Sequence, residues 1–346
     1  MNRYFCVLPY YSVEKEFTNP GKNIYCCRLP RNVDIKQVRK SIEKQERSPH
    51  CGACWELEDS GLTSERQIHN NTLDSLLDLN IENIELRTQK FGPEHLQIKL
   101  ATSNLCNGTC VTCNSTLSSA WASLEGRNSQ YRSMDFDTNW AAIKSLSFVG
   151  GEPFLERKNF KILEALIETG NTDCFVSVVT NGSITLTESN IQLLKKFSNL
   201  NICVSIDGIG NVFEYMRYPL KWAQLQENLR LFRELTNNIS VSCMISNLNI
   251  LYYTELIDFF KEQKLNYVCK HIIHPIIFAP SNLPNKIRDQ IQIRNFKYYK
   301  EVNSFMTTKP FNSMLFDRFK QELSRQDALK KISVETYLPD FYKYLE

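Results

Sequence analysis

The stretch Leu96-Gln-Ile-Lys-Leu-Ala101-Thr-Ser-Asn-Leu-Cys106-Asn-Gly-Thr-Cys110-Val-Thr-Cys113 joins a short apolar run directly to a close set of thiols. Leu96–Ala101 has the length and composition of a buried strand. The thiols that follow are spaced Cys106-x3-Cys110-x2-Cys113. Three thiolates on one loop can take three irons of a 4Fe-4S cluster and leave the fourth without a protein ligand, whereas a four-cysteine site is closed. Three ligands of a zinc site, or a chance spacing, are the alternatives at this point.

Further along the chain, short apolar runs alternate with amphipathic segments. Leu146–Val149, Cys174–Val179, Asn201–Ile206, Ile239–Ile245 and Tyr267–Ile273 read as further strands. Between them, Phe160, Leu163, Leu166 and Ile167 share one helical face that stops at Gly170. Ile191, Leu194 and Phe197 follow a Thr185-x-x-Glu188 capping box. Trp222, Leu225, Leu229 and Phe232 form another stripe, as do Leu256, Ile257 and Phe260. Six strand–helix units in series predict an α/β fold with a parallel sheet and right-handed crossovers, an open partial (β/α)6 barrel and not a closed one of eight. The predicted divisions are a Cys-rich module at 1–75, a linker at 76–94, the barrel at 95–284 and a helical tail at 285–346 covering it. Ile287, Ile291 and Phe296, then Leu315, Phe319 and Leu323, mark the tail helices, with breaks at Pro310 and Pro339.

The ends of the predicted strands carry loop chemistry. Phe148-Val149-Gly150-Gly151-Glu152-Pro153 ends the second, with two glycines that let a ligand approach backbone and a carboxylate that can accept from an ammonium group. Asn181-Gly182 ends the third and Ser205-Ile206-Asp207-Gly208 the fourth. In this order, from about Leu96 to Pro275, the motifs resemble those of the radical S-adenosylmethionine (SAM) superfamily. The resemblance implies that SAM chelates the open iron and that Gly150, Gly151 and Glu152 hold its amino group. It further implies roles for Asn181 and Ser205 in the SAM site, Ser205 at the ribose or carboxylate end, and for Arg217 on the SAM carboxylate. The residue before the last cluster cysteine is usually aromatic in that superfamily and is Thr112 here, a difference that bears on adenine packing.

The chain has 346 residues and twelve cysteines, an unusual number for a chain with 42% hydrophobic residues and no disulfide-type context. Cys6, Cys26, Cys51 and Cys54 could close around one metal centre. Gly21-x4-Cys26 and Cys51-x2-Cys54 resemble the twitch module, a SPASM-like unit that binds an auxiliary 4Fe-4S cluster through four cysteines. Cys27 could replace Cys26, and tetrahedral zinc would also suit such a set. Cys174, Cys203, Cys243 and Cys269 sit in apolar runs as small core residues. His271 and His274 flank the end of the last strand, and Lys195-Lys196 and Lys330-Lys331 read as solvated helix faces.

A net charge of +3 excludes an electrostatic case for nucleic acid or an acidic membrane. No targeting or membrane-spanning stretch is recognisable, so a cytoplasmic protein is expected. The resemblance implies reductive cleavage of SAM to a 5′-deoxyadenosyl radical that abstracts hydrogen from a substrate, with flavodoxin or ferredoxin as electron donor. A peptide or protein side chain, as in maturases of ribosomally made peptides, is the expected substrate. A small-molecule dehydrogenase, acting on an aminocyclitol or sugar, is the second reading; a non-catalytic iron–sulfur redox sensor is the third.

Overall fold

In the computed structural model, residues 2–345 are described apart from 20, 21, 27, 31, 60, 62, 78–80, 92–95, 128–130, 273 and 309. Seven strands form one sheet: β1 (Ser12–Glu16), β2 (Gln97–Ala101), β3 (Ser145–Val149), β4 (Phe175–Thr180), β5 (Leu200–Ser205), β6 (Ile239–Ile245) and β7 (Asn266–His271). They lie side by side in chain order, and every neighbouring pair is parallel. Right-handed crossovers that always step the same way place their helices on one face, and strand twist curls the sheet about the other. Among the described residues β1 and β7 do not pair, so the sheet is open.

All six predicted strands form, and β1 adds a seventh. Its sequence Ser12-Val-Glu-Lys-Glu16 is mostly charged, which suits an edge. Crossover helices Arg157–Glu168, Trp222–Leu235 and Tyr253–Glu262 follow the predicted stripes. The helix Glu188–Leu194 starts two residues later than the expected capping box: Thr187, not Thr185, accepts from the Asn190 amide at 3.3 Å.

The two faces of the sheet differ sharply. One register row, Val13–Ile98–Leu146–Val176–Leu200, is wholly apolar and packs in the main core. The adjacent row, Glu14–Lys99–Ser147–Ser177–Asn201, is wholly polar. Its members satisfy one another: Lys99 pairs with Glu14 at 2.9 Å, and Asn201 donates to Ser177 Oγ at 2.9 Å. The face covered by helices is therefore the hydrophobic core, and the concave face is a polar surface.

A second, smaller core holds the amino-terminal region together through Phe5, Val7, Tyr10, Tyr11, Val38 and Ile42. Residues 76–94 contain the helix Ile81–Phe91, whose Ile84 is fully buried in that same core. In the tail, Ile287, Ile291, Phe319 and Leu323 are buried as their spacing predicts, but Phe296 is exposed. Pro339 occupies the first turn of a short helix, where its missing N–H costs nothing. No described helix is long and apolar enough to cross a membrane.

Phe232, 1% exposed, packs its ring 6.0 Å from that of Phe154 behind the sheet. Phe232→Ala should cost about 3–5 kcal/mol, read from chemical denaturation. A loss below about 1 kcal/mol would place Phe232 outside the core.

Candidate functional site

The strand ends that carry the sequence motifs meet at one rim of the sheet. After β2 the chain enters the Cys106–Cys113 loop, which is fixed from several sides. Thr109 and Val111 donate their amides to the carbonyls of Tyr218 and Met216 at 2.6 and 2.8 Å. The Trp121 indole donates to Cys110 O at 2.9 Å, and the Ser118 hydroxyl to Gly108 O at 2.7 Å. Gly108 lies between two thiols: a Cβ there would stand 3.4 Å from Cys110 Sγ and 3.9 Å from Cys106 Sγ. Burial, reinforced by the neighbouring Cys110 thiol, pushes Cys106 up to about 11 and Cys113 up to about 12. Without a metal to bind them, these thiols hold their protons.

Gly150 and Gly151 are glycines for a reason within the chain. Gly150 has φ +112°, and a Cβ on Gly151 would come 2.2 Å from Leu105 O. The amides of Gly151 and Glu152 donate to Ser103 O and Leu105 O at 3.1 and 2.7 Å. The close approach that the motif permits is thus made first by the cysteine loop itself. Glu152 is 1% exposed and accepts from Thr180 Oγ1 (2.8 Å), the Asn181 amide (2.7 Å) and the Phe154 amide (3.1 Å). Burial raises its carboxyl while those donors oppose the shift. A carboxylate has about four acceptor positions, so most of its capacity is already used. Asn181 joins the same frame, its side-chain amide donating to Asn107 Oδ1 in the cysteine loop at 2.8 Å.

Arg217 is half-buried and pairs with Asp207 at 2.7 Å. Burial opposes its charge, and the Asp207 carboxylate outweighs that. Its Nε is buried without any hydrogen-bond partner. Asp207 is itself held by the Met244 amide at 2.8 Å. In the sequence, the only signal for this role of Asp207 is a lone acid at a strand end, ten residues before the candidate arginine. Ser205 is half-buried and lies in register with Ser242 of β6.

The amino-terminal cysteines converge as a separate group. Cys6, Cys26, Cys51 and Cys54 line one cavity with Trp55 and Arg66. Burial pushes the Cys6 thiol up to about 12, with Cys51 and Cys54 adding to the effect and Arg66 opposing it. Arg66 is anchored by Glu58 at 2.6 Å. Cys27 and Gly21 lie outside the described residues. Among the described residues, no group of three or more His, Cys, Asp or Glu side chains is placed to hold a single metal ion. Cys26 also lines a second cavity of about 220 Å³ against the polar face, with Glu14, His69, Lys99 and Ser147.

His271 is half-buried beside the Phe305 ring, and His274 is exposed. Lys195, Lys196 and Lys331 are exposed as expected. Lys330 is not: it is 4% exposed and packs over the Trp121 ring, 4.7 Å from its centroid. The carboxyl-terminal helix Ser313–Lys330 lies against the outside of the cysteine loop and so excludes water from that side chain.

No family profile matches the chain, and no curated protein does. Solved structures do. Native anSMEcpe with bound AdoMet aligns with a TM-score of 0.44 at 18% identity, over 62% of this chain and 62% of that one. Streptococcus suis SuiB bound to S-adenosylmethionine aligns at 0.43 and 14% identity, over 90% and 74%. SuiB bound to its precursor peptide SuiA aligns at 0.42 and 13%, over 96% and 73%. The chain thus spans less than two thirds of the length of the first.

Gly151→Ala should lower the melting temperature by several degrees, because the new methyl meets Leu105 O; a melt that overlays the parent would remove this contact from the frame. Asp207→Asn leaves Arg217 charged and unpaired, so unfolding in urea should lose about 3–5 kcal/mol. An unchanged urea midpoint would mean that Arg217 has another anion.

Proposed function

We propose that this chain is a radical SAM enzyme whose catalytic 4Fe-4S cluster is held by Cys106, Cys110 and Cys113. The observation that carries this reading is the pairing of three half-buried loop thiols with a buried guanidinium Nε that has no partner. The residues fit the implied groups. The thiols sense one another's charge, and Arg217 acts on both Cys110 and Cys113. An anionic ligand beside the cysteine loop, such as the carboxylate of SAM, would satisfy the free Nε.

In this reading the Gly150–Glu152 segment, Asn181 and Ser205 complete the SAM site. Glu152 acts mainly by fixing the Gly-Gly turn and the end of β4, with its remaining acceptor capacity turned to the ligand. When bound and reduced, the cluster and SAM together supply a 5′-deoxyadenosyl radical that takes a hydrogen atom from substrate. The chain's own contribution is to hold the reactants in line and keep water out. The polar concave face supplies hydrogen-bonding groups to a substrate, and its exposed side at Asn266, Val268 and Lys270 admits one from the edge. An extended peptide side chain suits such an opening, and we take a peptide or protein as the substrate, with flavodoxin or ferredoxin as donor.

Cys6, Cys26, Cys51 and Cys54 would hold a second 4Fe-4S cluster. Four thiols lining one cavity support a shared metal centre, which we take as a cluster. A closed four-cysteine cluster relays electrons, which favours an oxidative outcome.

Anaerobically reconstituted protein should hold about eight irons and show a reduced-cluster EPR signal that shifts on adding SAM. Replacing Cys106, Cys110 and Cys113 with Ala should remove that response and leave about half the iron. A spectrum indifferent to SAM in the parent protein would sink the proposal.

A further inference from the structure

Lys330 is a buried cation with no anion of its own. Its Nζ donates to Gln326 Oε1 at 2.9 Å and faces the Trp121 ring. The acids around it make no direct ion pair with it. Glu322 and Glu125 bind Arg325 at 2.7 and 3.2 Å, and Asp327 accepts from Tyr215 at 2.8 Å and the Val334 amide at 2.7 Å. An ammonium has three donors and is strongly hydrated, so burying it against one neutral amide and a ring is costly unless negative charge lies nearby.

Both contacts of Lys330 lead to the cysteine loop. Gln326 Nε2 donates to Val111 O at 2.9 Å, and Trp121 Nε1 donates to Cys110 O at 2.9 Å. Arg217 follows Met216, whose carbonyl holds the Val111 amide, but Asp207 neutralises it at 2.7 Å. Among the described residues, Lys330 is therefore a positive charge beside this loop that makes no direct ion pair.

The geometry points to Lys330 as the counter-charge of the metal centre at Cys106, Cys110 and Cys113, raising its reduction potential. This rests on the cluster assignment above. Three thiolates give an oxidised 4Fe-4S site a net negative charge, and one-electron reduction makes it more negative. A fixed cation packed against the groups that hold the loop favours the reduced form. Lys330 acts through the cluster and is a positioning residue, not a catalytic one. The carboxyl-terminal helix thereby becomes part of the redox site and more than a cover for the sheet.

The test is an EPR-monitored potentiometric titration of the anaerobically reconstituted full chain, with dithionite as reductant and without SAM. Lys330→Met should keep its iron but lower the reduced-to-oxidised ratio at a given potential about tenfold, a midpoint shift of about 59 mV for one electron. Lys330→Arg should titrate close to the parent. If Lys330→Met keeps its iron and titrates with the parent, the charge is irrelevant and the proposal falls. If the Met variant loses iron, Lys330→Gln is titrated in its place. Loss of iron from both neutral variants, with Lys330→Arg intact, supports a charge that holds the anionic centre; loss from Lys330→Arg as well overturns it in favour of packing. A parent protein that binds no iron at these cysteines overturns the function itself, a result distinct from either.

Discussion

The rim of the sheet is organised by one buried carboxylate. Glu152 takes hydrogen bonds from Thr180 and Asn181 at the end of β4, while its own amide reaches Leu105 in the loop after β2. Three consecutive strand ends are thereby tied into a single unit. Neither glycine before it tolerates a side chain, because the Ser103–Leu105 backbone occupies that space. Displacing Glu152 would free the cysteine loop on one side and Asn181 on the other, and the loop's spacing of thiols would lose its support.

That rim is useful only because the sheet separates two environments. Its apolar rows bury against the crossover helices and supply the cohesion. Its polar row pairs internally, Lys99 with Glu14 and Asn201 with Ser177, so the concave side stays wet without leaving buried groups unsatisfied. A hydrophobic interior of the usual barrel kind would fill the space with side chains. Here the concave face carries polar side chains, and the apolar core lies in the outer layer.

Much of this was legible in the sequence. Strands marked by Val, Ile and Phe, helices marked by their stripes, and the cysteine spacing all emerge where expected, because each depends on local pattern. The polar face is also written there, in alternations such as Ser145-Leu-Ser-Phe148 and Ile239-Ser-Val-Ser-Cys243. What sequence could not supply were pairings between distant residues. Charged β1 becomes a strand only because β2 offers it an edge. Lys330 looks like any lysine at a helix end until Trp121 and Gln326 enclose it, and the backbone packing of Leu105 against Gly151 has no signal in the sequence.

The position of β1 bears on the order in which the protein assembles. Ser12 bonds to Gln97 across 85 residues, so the strand nearest the amino terminus has no partner until the start of the barrel has been made. Contacts of such long sequence separation form late and slowly. During synthesis, Cys6, Cys26, Cys51 and Cys54 all emerge before that partner, within a segment whose small core also draws on Ile84 and Leu96. The thiols of this region therefore pass through a stage in which they are joined by chain but not yet held by fold. Iron delivered then would meet a flexible chelator, and iron delivered later a set of walls already in place.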